Sequence, residues 1–486
     1  MRVNLLIKNG TYQILDLDDV KKNLISDLEL GEIFKIAGFA DFHIKDIFPK
    51  ILLNFCTNEE DILYRQNIYK DLVKNKFLIK MLYEYLQETL TEFKSKFQYE
   101  IITKSPYSIV ETSTSIIEYL YPKLYAIRAN IMDWKCESEG LKLFQEENVK
   151  DLDPNNLDKL KKITLDFDYK VGIMTSTHLE DNMNISNVTL NRSTYGDKEF
   201  KKKWKKAVKI DFNYLSESLI NEINAKNDIA LKDVCIKFGQ ATHHIIYFLK
   251  DLYDELGFYI ASMNIEEKLN SLNIDTCMPS ISNNYQYDGL YDMALALKKN
   301  MSVTPNSHET KSNVWIITGA NQGGKTTFLR SLGQAYIFFQ SGLFCPAKMI
   351  NLPIVSGLFT HFDKEEDTKL ESGKFDDELR RFNLLMDKLK PNSLFMLNES
   401  FQSTDEAEGS KIGYEIISGF IDSNIRIILV THMYDLAMLL KDKYSDSYFL
   451  RAERLDDGSR SFKLIEAMPL TTSFGEDLYN KIWNKD

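Results

Sequence analysis

The chain lacks any cysteine pattern that could fix a fold: Cys56, Cys136, Cys235, Cys277 and Cys345 are scattered through 486 residues with no C-x-x-C or Cys/His spacing. That excludes a disulfide framework and a zinc site and leaves the five as core thiols. It also lacks an apolar run of membrane-spanning length, and Met1 to Gly10 already carries Lys8 and Asn9 within its apolar stretch. No membrane partner is expected, and the cytoplasm is the expected compartment. Nor is there an excess of cations. A formal net charge of −11 excludes a surface coated with nucleic-acid contacts, so any such binding has to be local. Internal repeats and low-complexity segments do not occur. What remains is a chain that is 44% hydrophobic and long enough for two or three cored domains.

Against that background one segment carries chemistry. Gly319, Ala320, Asn321, Gln322, Gly323, Gly324, Lys325, Thr326 and Thr327 complete a G-x-x-x-x-G-K-[ST] phosphate-binding loop. The apolar run Val314 to Ile317 before it predicts a buried strand, and Thr326 to Phe339 predicts the helix after it. Glycines let backbone N–H groups turn inward around the β- and γ-phosphates, and the helix aims its positive dipole end at the same place. Lys325 is then the point charge on those phosphates and Thr326 the hydroxyl on Mg²⁺.

A nucleotide site also needs a base and a sensor. Leu394 to Leu397 is a short apolar run typical of a buried parallel strand and ends in Asn398-Glu399, where a P-loop enzyme places its acidic pair. Ile427 to Val430 is another and ends in Thr431-His432. Glu399 can orient and deprotonate an attacking water, and His432 can hydrogen-bond the γ-phosphate or that water.

With these residues in place the chain resembles the MutS proteins, DNA mismatch-repair ATPases of the ABC superfamily. Their loop reads G-P-N-M-G-G-K-S/T, and Asn321 keeps its Asn. After Glu399, Ser400 to Gly409 has the length of the family's I-G-R-G-T-S-T-x-D-G, with Thr404 and Gly409 in register. Phe359-Thr360-His361-Phe362 looks like F-T-R-V/I, Tyr287 to Tyr291 resembles D-G-R-H-P, and Val303 to Asn306 resembles V-P-N-D on the adenine side. This likeness covers about residues 285 to 475. Weaker likeness places the end of a lever helix at Gly257 to Leu269 and the start of a helical core at Asp61 to Gln66. The resemblance implies a protein trimmed at both ends. The family's wedge motif, G-x-F-[YF]-E, is not found, and neither Phe144-Gln145-Glu146 nor Phe474-Gly475-Glu476 has its context. No dimer tail or Smr nuclease module is expected, and Phe474 to Tyr479 is similar to the S-Y-G segment near the end of the ATPase domain.

Two departures bear on activity. Where the family carries the Mg²⁺-supporting Asp, this chain has Asn398, whose carbonyl can still hold a metal-bound water but brings no charge. A slow ATPase is the expectation, with Thr326 and Asn398 as metal ligands. The stretch Leu370 to Glu378 is shorter than the family's S-G-R-S-T-F-x-x-E, whose Ser reaches across the dimer to the partner's γ-phosphate. Ser372 is the nearest candidate and Lys374 a second.

Local cationic charge sits at Lys198 to Lys209, where Lys201, Lys202, Lys203, Lys205 and Lys206 surround Trp204. The run suits either a DNA clamp between lever helices, releasing counterions from a phosphate backbone, or a solvated helical face. Periodicity predicts helices over 59–100, 108–147 and 216–272, a linker at Asp151 to Asn156, and hairpins around Asn9-Gly10 and Asp457-Gly458. The expected architecture is a mostly α-helical core and lever followed by a C-terminal ABC-type α/β P-loop domain. Its parts are 1–57 (N-terminal segment), 58–284 (core and lever, with a clamp-like insertion near 165–212) and 285–486 (ATPase). The expected function is an ATP- and Mg²⁺-dependent homodimer whose arms grip duplex or branched DNA in repair or recombination. The alternatives are an ATP-gated module for a protein partner and a nucleotide switch that hardly hydrolyses.

Overall fold

The structure, a computed structural model, describes residues 1–97, 105–166, 175–179, 185–190, 217–363, 374–455 and 459–470. Ser372, the lysines of 201–206, Asp457-Gly458 and Phe474 to Tyr479 lie outside the described residues. The chain divides into two compact units, Met1–Leu5 with Asp71–Leu256, and Leu6–Lys70 with Gly257–Asp486.

The first unit is helical. Helices Lys76–Phe97, Pro106–Met132, Glu139–Asp151 and Pro154–Asp166 are joined by short connections. Ser105 caps the second by accepting from the Ser108 N–H, with Pro106 in its first turn, where a missing N–H costs nothing. The same physics overturns the linker expected at Asp151 to Asn156: Pro154 opens a helix, and the Asp153 carboxylate takes the Asn155 N–H at 2.9 Å. Buried Asp71 accepts from the N–H groups of Glu137 and Ser138 at 2.8 and 2.6 Å, which holds the turn before helix Glu139–Asp151. Phe144 lies on that helix, fully buried, its ring stacked on Trp134. It is therefore a core residue of a helix. Residues 216–272 resolve into one helix, Glu217–Ser271, 55 residues long, with no break at Gly257. Strands β1 (Thr175–Leu179) and β2 (Ile185–Leu190) pair antiparallel within the span expected for an insertion.

The hairpin expected around Asn9-Gly10 is absent, and no strand occurs in residues 1–18. The backbone there finds side-chain partners instead of a ladder. Glu255 accepts from the Leu5 N–H at 2.6 Å, and Arg65 donates to the Leu6 carbonyl at 2.7 Å.

The second unit holds two sheets. Strands β3 (Ser280–Ile281), β4 (Tyr285–Leu290), β5 (Asn306–Thr310), β6 (Val314–Thr318), β7 (Met349–Leu352), β8 (Leu358–Phe362), β9 (Leu394–Asn398), β10 (Arg426–Val430), β11 (Tyr448–Arg454) and β12 (Arg460–Glu466) follow in chain order. Four of them form a sheet ordered β3-β7-β4-β5, which periodicity did not predict, and six form a sheet ordered β12-β11-β6-β10-β9-β8. In the larger sheet β8, β9, β10, β6 and β11 are mutually parallel, with β12 antiparallel at the edge. Every residue of β6, β8 and β9 is buried, as in strands covered on both faces, and β8 carries the polar Thr360 and His361 into that interior. Phe395, Leu397, Phe401, Ile427 and Leu429 centre the core on one face, each contributing about 1.5–3 kcal/mol by leaving water.

Residues 6–70 belong to this unit as well. Helices Asp19–Asp27, Leu30–Gly38 and Phe42–Leu52 bring Leu28 into a notch at Gly333, where an added Cβ would meet the Leu28 side chain at 2.6 Å. The Asp27 carboxylate accepts from the Thr360 hydroxyl at 2.7 Å, and Arg330 pairs with Glu29 at 2.6 Å. Among the cysteines, Cys56, Cys235 and Cys345 are buried and Cys136 and Cys277 half-buried.

Candidate functional site

Register assembles the site. Val430 of β10 lies opposite Ile317 of β6 and Asn398 of β9, so the segments that leave these three strands emerge at one edge of the sheet. They are Gly319 to Gly324, Thr431-His432 and Glu399. The glycine loop connects β6 to helix Lys325–Gln340, which starts one residue before the expected Thr326. Gly319 has φ +113° and Gly324 φ +93°, the left-handed region that favours glycine. At Gly323 the constraint is space: a Cβ would fall 2.6 Å from that of Ala452 and 2.9 Å from the Ala320 carbonyl oxygen.

Lys325 is buried. Its Nζ donates to the carbonyls of Gly319 and Ala320 at 2.7 and 3.1 Å and lies 3.1 Å from His432 Nε2. Burial pushes its pKa down to about 8, Arg460 adds to that, and Glu399 opposes it. The same His432 Nε2 is 3.1 Å from Glu399 Oε1. One ring nitrogen cannot accept from Lys325 and donate to Glu399 at once, so the tautomer decides which bond forms. The His432 hydrogen bond holds the Glu399 carboxyl below the usual carboxylate range, against its burial and with help from Lys325. Thr326 donates its hydroxyl hydrogen to the Asn398 carbonyl at 3.1 Å. Thus residues from three stretches of the chain meet in two adjacent hydrogen-bonded groups, Lys325 with His432 and Glu399, and Thr326 with Asn398.

Three features of the site went unread in the sequence. Glu399 has φ +57° and Phe401 φ +69°, which non-glycine residues rarely adopt. Buried Glu378 holds this turn, accepting from the Phe401 N–H at 2.7 Å and the Ser403 hydroxyl at 3.0 Å. Burial raises the Glu378 pKa, and those two donors with Arg381 pull the other way. The signal available was F-x-x-E itself, whose acid has no partner in local sequence. The second feature is Phe462, half-exposed with φ +62°. It lines a cleft of about 340 Å³ together with Leu290, Val303, Thr304, Gly324 and Thr327, which brings the predicted Val303 to Asn306 element beside the glycine loop. The third is a second cleft of about 350 Å³, bounded by Gly319, Thr404, Thr431 and His432. Lys374 begins helix Lys374–Met386.

Fold and site define an α/β domain in which a strand–glycine loop–helix unit meets two further strand ends at one sheet edge. Comparison with known proteins agrees along most of the chain: residues 57–272 match the MutS2 N-terminal domain and residues 315–478 match MutS domain V. The chain belongs to the MutS family. It is 21% identical over 488 residues to the DNA mismatch repair protein MutS of Petrotoga mobilis, covering 90% of this chain and 59% of that protein. To the MutS protein homolog him-14 of Caenorhabditis elegans it is 24% identical over 272 residues, 55% of this chain and 32% of the relative. To Endonuclease MutS2 of Thermus thermophilus it is 27% identical over 128 residues, 26% and 17% of the two chains. It therefore spans less than two thirds of the length of each of these relatives. Among the described residues no helix is long and apolar enough to cross a membrane.

Proposed function

We propose that this chain is a MutS-type ATPase, working as a homodimer, in which ATP binding and slow hydrolysis at the sheet edge control helical arms that grip duplex or branched DNA. The observation that carries this reading is the convergence of Lys325, Thr326, Asn398, Glu399 and His432 within 3.1 Å links. The base of the nucleotide lies in the cleft against Phe462 and Val303, and the phosphates lie in the loop. Lys325 exchanges two carbonyls for phosphate oxygens, which favour its charged form. Glu399, kept ionised by His432, accepts the proton of the attacking water, and His432 orients that water or the γ-phosphate. Thr326 Oγ1 and Asn398 Oδ1 are neutral oxygens side by side, the donor type a hard cation takes, so the pair fits Mg²⁺. When bound, that ion supplies Lewis-acid charge to the phosphate oxygens. Because Asn398 adds no charge, the metal is held weakly and turnover is slow. Residues 58–284 form the arms, Lys201, Lys202, Lys203, Lys205 and Lys206 meet the DNA backbone, and Ser372 faces the partner's nucleotide.

Asn398 favours one second reading, a nucleotide switch with almost no turnover. Phosphate release separates the two. The enzyme reading expects slow release by the wild type, at least about hundredfold less by Glu399→Gln with binding kept, and more by Asn398→Asp. No release by the wild type, restored by the aspartate, establishes the switch. Gel shifts over a salt series, with plain and branched duplexes, test the DNA arm. Affinity independent of salt, or unchanged when the lysines of 201–206 become glutamine, removes the clamp.

A further inference from the structure

The long helix Glu217–Ser271 is buried on one face and open on the other. Leu231, Cys235, Phe238, Thr242, Ile245 and Leu249 make the buried face, at the steps of three and four residues that bring side chains to one side of a helix. The opposite line runs Ile229, Asp233, Ile236, Gln240, His243 and Tyr247, every one of them exposed. Solvent favours a wholly polar line there. Instead Ile229 is 75%, Ile236 48% and Tyr247 60% exposed, apolar groups at both ends and near the middle of a stripe about 27 Å long. Its alternating steps of four and three are those of a two-stranded helical seam.

The order of the stripe mirrors itself about Phe238. Ile229 and Tyr247 are equally far from that position, as are Asp233 and His243, and Ile236 and Gln240. Two copies laid antiparallel across a two-fold axis there set each member of a pair against the other. Ile229 then meets Tyr247, the Asp233 carboxylate meets the His243 imidazole N–H, and Ile236 meets the stem of Gln240. A parallel pair sets Asp233 on Asp233, carboxylate against carboxylate. The polar residues thus select orientation and register together.

We propose that this face is an interface for a second copy of the same chain, the two helices lying antiparallel about Phe238. The contact goes beyond the nucleotide reading and uses none of its residues. One short, half-polar seam falls in the transient size class, under about 1,200 Å².

Photocross-linking on the full chain, without nucleotide or DNA, tests this. Tyr247→p-benzoylphenylalanine keeps an aromatic ring at the end of the stripe, and mixing ¹⁵N-labelled with unlabelled protein separates links between copies from links within one. Links between copies should map to the segment around Ile229. Ile236→Asp should cut their yield by about tenfold. Asp233→Lys and His243→Glu should each cut it by about fivefold, because each pair occurs twice, and the two together should restore it to within about twofold. The substituted positions are exposed, and circular dichroism checks that the variants fold. Links that map elsewhere, no link between copies, or single charge variants that link as the parent does overturn the proposal. So does a double variant as weak as the single ones. A face that serves nucleic acid instead gives no link between copies and a duplex affinity lowered by Ile236→Asp. Nucleotide binding by these variants should match the parent's, so failure here leaves the nucleotide reading standing.

Discussion

The two walls of the site reach their geometry by opposite means. The glycine loop is shaped by missing atoms: Gly319 and Gly324 take left-handed backbone and Gly323 leaves no room for a Cβ against Ala452. The facing turn, Glu399 to Thr404, adopts left-handed backbone at Glu399 and Phe401 with full side chains. It is held there by an added group, the buried carboxylate of Glu378. A loop made by omission needs backbone freedom and space against its neighbours, whereas a turn made by strain needs a group that holds it in place. The first should therefore fail by steric block and the second by loss of its anchor.

The largest effect is expected at the loop. Gly323→Val places branched carbons where 2.6 Å separates a Cβ from Ala452, and nucleotide binding should fall by more than about hundredfold, measured by calorimetry. If it binds normally, the loop wall is not shaped by space. Next comes the anchor. Glu378→Ala strands two donors and should cost about 2–3 kcal/mol of stability in a denaturant melt, with turnover falling further than nucleotide affinity. An unchanged ratio of turnover to affinity would show that the strained turn needs no anchor. Phe462→Ala should weaken nucleotide binding by about tenfold through lost stacking, with hydrolysis of bound nucleotide unchanged.

The smallest effect is titration of Lys325. Its pKa is about 8 in the free protein, and phosphate oxygens raise it on binding. Binding therefore takes up a proton wherever the pH exceeds about 8. Affinity should be level below that point and fall by up to about tenfold per unit above it. Calorimetry in buffers of different ionisation enthalpy should detect the uptake, and Lys325→Arg should abolish it.

Sequence made some of this visible and hid the rest for definite reasons. Unbroken apolar runs at Val314 to Ile317, Leu394 to Leu397 and Ile427 to Val430 marked buried parallel strands, because a strand covered on both faces has no polar side to show. Their polar ends marked Glu399 and His432 as candidates for the same site as Lys325, and the structure brings His432 within 3.1 Å of both. The hairpin flanking Asp457-Gly458 was legible from its turn residues and alternation, and β11 and β12 pair as expected. The smaller sheet was not legible: β3 has two residues, and β7 pairs with strands far off in sequence. Proline misled at Pro154, because it suits the first turn of a helix as well as a linker.

By itself the amino-acid sequence determined the glycine-loop motif, the central strands and the identity of the residues at their ends, since each is written in a few neighbouring positions. Only the tertiary structure decided that Glu378 anchors the turn after β9, that Phe462 and Val303 line one cleft, that Ala452 packs against the loop glycines, and that residues 6–70 pack with the α/β unit. Those contacts depend on strand register and on how packed elements exclude one another, and neither is written in any local stretch of chain.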